Sequence, residues 1–280
     1  MTNHGPVTLI TGATSGLGLH LAQHLGAQGV TLLVHGRDHE RVHQLCRQLE
    51  KRGSTAQPYV ADLADLAAVR ALGQRILAEQ PRLDVLVNNA GVGPGPLGAP
   101  REISRDGHEL RFAVGYLAPY LLTRLLLPAL RNSAAARVVN VGSAAQMEIE
   151  FDDLSMADQY DGWIAYGRAK LALASFSMDL AAESAPDGIG VACVHPADLM
   201  PTPLVHETGL APQSTIEQGV EAVMRLVSAP STEFVSGGYY HGLSCATPHT
   251  DVLDAGKRKA LREATAHVLA SSVRLHPTDK

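Results

Sequence analysis

Cysteine, aromatic residues and surplus positive charge are all scarce in this chain, and each shortage removes a class of protein. Its three cysteines, Cys46, Cys193 and Cys245, are scattered and odd in number, so they do not read as a disulfide framework. Against 28 aspartates and glutamates stand 23 lysines and arginines, a net charge of −5 that offers neither a nucleic-acid surface nor a polybasic membrane patch. The longest apolar stretch, Leu117 to Leu130, is interrupted by Pro119, Arg124 and Pro128 and reads as too short to span a bilayer. Met1 to Pro6 leads straight into a strand without a charged leader or an apolar signal region. These features predict a cytoplasmic protein with reduced thiols and no nucleic-acid or membrane partner, and they leave a homo-oligomer open.

What the 280 residues do carry is a regular alternation of short and long apolar patterns, in a chain long enough for one large, well-buried domain. Strands are predicted over residues 7–10, 31–35, 56–60, 83–87, 137–141 and 189–194. Between them lie helices over 16–28, 38–51, 65–79, 107–130 and 163–184. Such an alternation calls for a doubly wound α/β fold, a mostly parallel sheet with helices on both faces, and for ligands beyond the carboxyl ends of the strands. No repeat, low-complexity tract or linker divides the chain, so residues 1–280 read as a single domain. Past Ala197 come a proline-rich loop, a helix near 215–228, a strand at 233–239 and a final helix. The loop 197–214 is where a substrate lid would sit.

Thr11-Gly-Ala-Thr-Ser-Gly-Leu-Gly18 follows the first strand and opens the first helix. Glycines there let the backbone turn tightly against a diphosphate, and the helix N-terminus supplies free N–H groups and the positive end of a dipole. Gly12, Thr14, Ser15, Gly16, Leu17 and Gly18 are therefore the expected diphosphate contacts, although the spacing is Gly-x-x-x-Gly-x-Gly rather than Gly-x-Gly-x-x-Gly. An NAD site normally ends its second strand with a carboxylate for the ribose 2′-hydroxyl; this chain has Gly36-Arg37. A guanidinium in that place pairs with a 2′-phosphate, so the expected cofactor is NADP(H). Asp62 and Leu63 after the third strand are placed for the adenine ring, and Asn89, Ala90 and Gly91 for the adenosine ribose. Each of these also reads as ordinary turn chemistry.

Tyr166 and Lys170 are four residues apart and share one helix face. At an effective dielectric of about 20, opposite charges about 4 Å apart attract by roughly 4 kcal/mol. That is enough to bring a phenol from a pKa of about 10 toward neutrality, where it can trade a proton with a carbonyl or alcohol oxygen. Taken alone the pair is common on ordinary helices; its weight comes from the motifs upstream.

Together, Thr11–Gly18, Asn88-Asn-Ala-Gly91, Ser143 after the strand at 137–141, and Tyr166-x-x-x-Lys170 stand in one order and spacing. In these the chain resembles the short-chain dehydrogenase/reductases from Val7 to Tyr240. The long 144–165 gap and the late Ser236-Gly-Gly-Tyr-Tyr240 are similar to a retinol-dehydrogenase-like branch. The resemblance implies a single-domain Rossmann fold with Tyr166 as general acid/base. It implies that Lys170 bonds the nicotinamide ribose and lowers the Tyr pKa, that Ser143 holds the substrate oxygen, and that Pro196 and Leu199 border the nicotinamide. Two positions depart from the family pattern: Gly115 stands where an asparagine completes a proton relay, and Ala197 replaces a glycine.

The expectation is an NADP(H)-dependent oxidoreductase passing hydride between nicotinamide and a carbonyl or alcohol carbon. Its substrate should be small and apolar, since aromatics make up only 4% of the chain and the lid carries Leu199, Met200, Leu204, Val205 and Leu210. Gly115 and Ala197 motivate an alternative on the same fold, a dehydratase, a cyclase or a cofactor-binding protein. A remote alternative is a zinc hydrolase, because His39-Glu-Arg-Val-His43 matches His-Glu-x-x-His. That helix should lie outside the sheet, and the sequence offers no third ligand, so no metal site is expected. His20 and His24 share the spacing and the same fate, and His195 reads as a strand-end packing residue.

Overall fold

Six of eight strands follow the predicted alternation in a computed structural model that describes residues 5–228, 230 and 233–275. β1 (Val7–Ile10), α1 (Gly16–Gly26), β2 (Thr31–Gly36), α2 (His39–Glu50), β3 (Thr55–Val60), α3 (Leu66–Glu79) and β4 (Val85–Asn88) make up the first half. Then come α4 (Leu110–Phe112), a π-helical turn (Ala113–Leu117), α5 (Ala118–Arg131), β5 (Arg137–Val141), α6 (Gly162–Ser184) and β6 (Gly190–His195). The chain continues through α7 (Pro203–His206), α8 (Ile216–Ser228), β7 (Tyr239–His241), β8 (Ser244–Ala246), α9 (Thr250–Leu253) and α10 (Ala255–Leu275). Aspartates start the helices: Asp38, Asp65 and Asp161 accept hydrogen bonds from first-turn amides of α2, α3 and α6.

The sheet order is β3-β2-β1-β4-β5-β6-β7-β8, parallel throughout except for β8. Strand order reverses between β1 and β4, which opens a crevice beyond their carboxyl ends. Both faces of the sheet are covered, so β1 and β4 are buried along their whole length, with Thr8 and Asn88 their only polar residues. On one face, Leu72 and Ile76 of α3, Leu122 and Leu126 of α5, and Leu173 and Phe176 of α6 form the core. On the other, Leu21 and Leu25 of α1, Leu45 and Leu49 of α2, and Val223 and Leu226 of α8 do so.

Three differences from the sequence reading have physical causes. The predicted 107–130 helix is a run of 22 residues, Leu110–Arg131, broken by the π-helical turn around Gly115. That run is long and apolar enough to cross a membrane, but 72% of its most apolar window is buried inside the fold. The strand predicted at 233–239 instead begins at Tyr239, where it was expected to end. Gly237 takes a φ of +82° and Gly238 donates to the Val235 carbonyl at 3.0 Å, so a turn occupies the segment before it. Finally, β8 returns antiparallel through Gly242 and Leu243, with Gly242 at φ +58°. Pro58, which has no N–H to donate, sits in β3 at the other rim of the sheet.

Candidate functional site

The glycine loop after β1 is built by contact distances that exclude side chains. Gly12 has φ +65°, and a Cβ there would meet the Ala90 Cα at 2.9 Å. A Cβ on Gly18 would overlap the Gly12 carbonyl and the Asn89 amide. Asn89 Nδ2 donates to the Thr11 carbonyl at 2.8 Å and to the Gly12 carbonyl at 3.2 Å, locking the turn from the neighbouring strand. Ser15 precedes α1 without capping it, so the first amides of the helix stay available to an anion. Thr14 and Gly16 are half-buried around this opening, whereas the Leu17 side chain is buried and leaves only its backbone to the crevice. A cradle that any Cβ would fill, at an uncapped helix end, fits a diphosphate.

His35 is a structural member of this loop that the sequence did not reveal. Its Nδ1 accepts from the Gly12 amide at 3.3 Å, and its Nε2 lies 3.2 Å from the Ala61 carbonyl, joining the ends of β1, β2 and β3. Burial drives its pKa down to about 4, so it is neutral and holds both bonds at neutral pH. Past it, Arg37 and Asp62 are exposed at the ends of β2 and β3, and Leu63 is buried behind them. The Arg37 guanidinium is open to a 2′-phosphate. Asn88, the last residue of β4, is 3% exposed and donates to Thr123 Oγ1 at 2.9 Å and Asn140 Oδ1 at 2.8 Å. The Asn89 side chain is committed to the loop as well, which leaves its backbone, Ala90 and Gly91 facing the crevice after β4.

Beyond β4 and β5 the side chains named for chemistry come together. Lys170 is 5% exposed, and its ammonium donates to the Val141 carbonyl at 2.8 Å while lying 5.5 Å from the Tyr166 ring centre. A Cβ on Gly91 would come within 3.9 Å of the same nitrogen. Ser143 lies two residues past Val141; its Oγ accepts from the Ala145 amide at 3.1 Å, and its carbonyl accepts from the Tyr239 hydroxyl at 3.0 Å. Tyr166 is half-buried, with Gly167 beside it so close to Met147 that a Cβ would overlap that side chain. Gly115 faces this helix from the π-helical turn: a Cβ on it would meet only the Ala169 Cβ, at 3.3 Å.

A buried ion pair holds the walls. Arg111 is 2% exposed; it donates to the Gly93 carbonyl at 2.9 Å and the Pro94 carbonyl at 3.2 Å, and lies 3.2 Å from Glu109. Glu109, 1% exposed, also accepts from the Phe112 amide at 2.8 Å and the Tyr160 hydroxyl at 2.9 Å. The loop after β4 and the entrance to α6 are thereby tied to α4. The loop 197–214 is less of an apolar lining than its composition predicts. Met200 packs against Gly219 of α8, Val205 is buried, and Leu204 lies on Gly93, leaving Leu210 as the one exposed aliphatic among the five named.

His195 is buried as expected but not as a packing residue. Its Nε2 lies 3.0 Å from Asp198 Oδ1, and its ring stands edge-on to that of His241, 4.6 Å away. Pro196 is buried beside it, and Leu199 takes a φ of +38°, which a side chain rarely adopts. On α2, the His39 and His43 rings lie tilted against each other with centroids 4.2 Å apart beside an exposed Glu40, and among the described residues no third ligand joins them.

A family model described as short chain dehydrogenase matches residues 6–212. Retinol dehydrogenase 14 of Mus musculus is 35% identical over 263 residues, covering 85% of this chain and 78% of that protein. An uncharacterized protein from Mycobacterium Paratuberculosis superposes with a TM-score of 0.78 at 26% identity, covering 94% of this chain and 92% of the other. A short-chain dehydrogenase from Sphingobium yanoikuyae in complex with NADPH gives a TM-score of 0.64 at 28% identity, covering 78% and 83%. The glycine loop, the Tyr–Lys pair and these matches agree: the chain belongs to the short-chain dehydrogenase/reductase family, on its retinol-dehydrogenase-like branch.

Proposed function

We propose that this protein is an NADP(H)-dependent oxidoreductase acting on the carbonyl or alcohol carbon of a small apolar substrate, with Tyr166 as its general acid/base. The observation that carries the reading is the buried Lys170 ammonium, anchored on the Val141 carbonyl beside the Tyr166 ring. The nicotinamide of the bound cofactor supplies or takes up the hydride. The residues of this chain do the rest. The first amides of α1 hold the diphosphate, Arg37 pairs with the 2′-phosphate, and Ala90 and Gly91 border the ribose. The Lys170 ammonium has donors to spare after its bond to Val141, and they serve the nicotinamide ribose. The Ser143 hydroxyl, which here accepts from Ala145, can donate its proton to the substrate oxygen while Tyr166 gives or takes the proton there.

Exposed apolar side chains on the loops after the strands, Leu97, Met147 and Leu210, and Ile164 in the first turn of α6 support an apolar substrate. The segment 197–214 serves as its lid, and the free thiols of Cys46, Cys193 and Cys245 accord with a cytoplasmic enzyme. The NADPH-bound Sphingobium yanoikuyae relative adds support for the cofactor.

The decisive experiment follows NADPH and NADH oxidation against a panel of apolar ketones and aldehydes. Turnover with NADPH preferred is expected; a protein that binds NADPH yet never consumes it overturns the reading. A second reading, a non-redox role in the same crevice, is favoured by Gly115 at the π-helical turn. Gly115→Asn separates the two. Its Cβ needs only a small yielding of Ala169, so the redox reading expects turnover kept or raised, and the non-redox reading expects the native reaction lost with NADPH untouched.

A further inference from the structure

His195 and His241 end neighbouring parallel strands and are direct partners in the register of β6 and β7. Side chains of register partners stand on the same face of a sheet, which brings the two imidazoles together beyond its carboxyl edge. Asp198 returns to them from the loop just after β6. The backbone that returns it is held: Leu199 has a φ of +38° and its carbonyl accepts from the Gln213 amide at 3.0 Å, while the Asp198 carbonyl accepts from the Ser214 hydroxyl.

Three ligand atoms converge as a result. Asp198 offers Oδ1 at 3.0 Å from His195 Nε2 and Oδ2 at 3.9 Å from His241 Nε2, and all three residues have a ligand atom within 4.8 Å of the others. Around a tetrahedral zinc, with bonds of about 2.0–2.2 Å to nitrogen and oxygen, ligand atoms stand about 3.3–3.6 Å apart. The separations of the two Asp198 oxygens from the imidazoles, 3.0 and 3.9 Å, bracket that spacing, and the set as a whole, spread within 4.8 Å, has to draw in around an ion. His195 is the fixed member, its side chain 8% exposed; those of Asp198 and His241, 58% and 52% exposed, are free to close the remaining distance.

We propose that His195, Asp198 and His241 form a binding site for a divalent transition-metal ion of the zinc class, fastening the root of the 197–214 loop to the ends of β6 and β7. Two imidazoles and a carboxylate suit zinc or cobalt and disfavour magnesium or calcium, which take all-oxygen shells. Three protein ligands leave a fourth position for water or another oxygen donor. The site is separate from the hydride-transfer reading, and metal binding alone tests it.

The experiment titrates the purified, chelator-treated protein with Zn2+ by calorimetry and with Co2+ by visible absorption. His39 and His43 on α2 are the competing adventitious site, so the unmutated protein is compared with His241→Ala, Asp198→Ala and the double variant His39→Ala/His43→Ala, all checked by thermal melt. The expected result is one equivalent bound with the absorption bands of four-coordinate cobalt, weakened at least 10- to 100-fold in His241→Ala and Asp198→Ala and unchanged in the α2 double variant. Should one of the two site variants fail to fold, the other decides. Absence of binding, binding that weakens less than threefold in the site variants, or binding abolished only by the α2 double variant overturns the proposal.

Discussion

The two sides of the crevice are held by different physics. On the β1–β2–β3 side, position comes from backbone pressed against backbone: Gly12 against Ala90, Gly18 against the Gly12 carbonyl, with the neutral His35 tying three strand ends together. On the β4–β5–α6 side, it comes from buried charge: Arg111 with Glu109 behind the walls, and Lys170 on the Val141 carbonyl at the centre. A shape held by excluded volume tolerates changes of charge nearby but not added atoms. A shape held by desolvated charge tolerates neither the loss of a partner nor a change in its protonation. Under the proposed function, the side that would grip the cofactor is the one held by packing, and the side where a proton would move is the one held by buried ions.

The sharpest way to split the sides is Tyr166→Phe. It should lower turnover by about 10²–10⁴-fold while leaving the NADPH dissociation constant within a factor of two, because only the proton donor is removed. Lys170→Ala should damage both measurements. Parallel losses of turnover and affinity in Tyr166→Phe would erase the division between the sides.

Next in size is Glu109→Ala, which leaves the buried Arg111 only the longer, 3.5 Å contact to the exposed Glu102 and should cost about 3 kcal/mol in urea unfolding. A loss below about 1 kcal/mol, of the order of an exposed pair, would show that the walls do not depend on that charge.

Acid should act through the other side. The His35 pKa falls from 6.5 to about 4 on folding, so its contribution is fully present above about pH 6.5 and is lost as pH drops toward 4. The full swing corresponds to roughly 3 kcal/mol. Unfolding midpoints at pH 7, 5.5 and 4 should fall more steeply in the unmutated protein than in His35→Gln. Identical slopes would remove His35 from the account.

The smallest effect is expected at the exposed rim. Arg37→Ala should weaken NADPH by about 10- to 100-fold, the worth of a charge-assisted bond or two, and leave NADH unchanged. Equal affinities for both cofactors in the unmutated protein would move the discrimination away from Arg37.

What could be read in advance follows the same division. Glycines at 12, 16 and 18 announce a close backbone approach because no other residue serves there, and Tyr166 with Lys170 announces itself by a spacing within one helix. Strand positions were legible too, since both faces are covered and β1, β4 and β5 are short, mostly apolar and valine-rich or leucine-rich. His35 was not, because its two bonds reach loops that become neighbours only when β1, β2 and β3 pair. Glu109 meets Tyr160 across 51 residues of sequence, a distance over which no local pattern operates. His195 and His241 meet only through the register of β6 and β7. Met200 and Val205 misled for a related reason: an apolar residue in a loop looks the same in sequence whether it lines a cavity or, as here, turns back into the core.

The two rims of the sheet bear on how this protein behaves when crowded. An open sheet exposes a row of unpaired N–H and C=O groups at each side, a template on which other chains can add and aggregate. Here one rim strand, β3, contains Pro58, which breaks the row of donors, and the other, β8, is a three-residue strand running against its neighbours. Neither offers a partner chain a long, regular ladder. With 45% hydrophobic residues and a net charge of only −5, the chain has little electrostatic repulsion to keep copies apart, so those two blunted edges are the features of the sheet that oppose strand-by-strand addition.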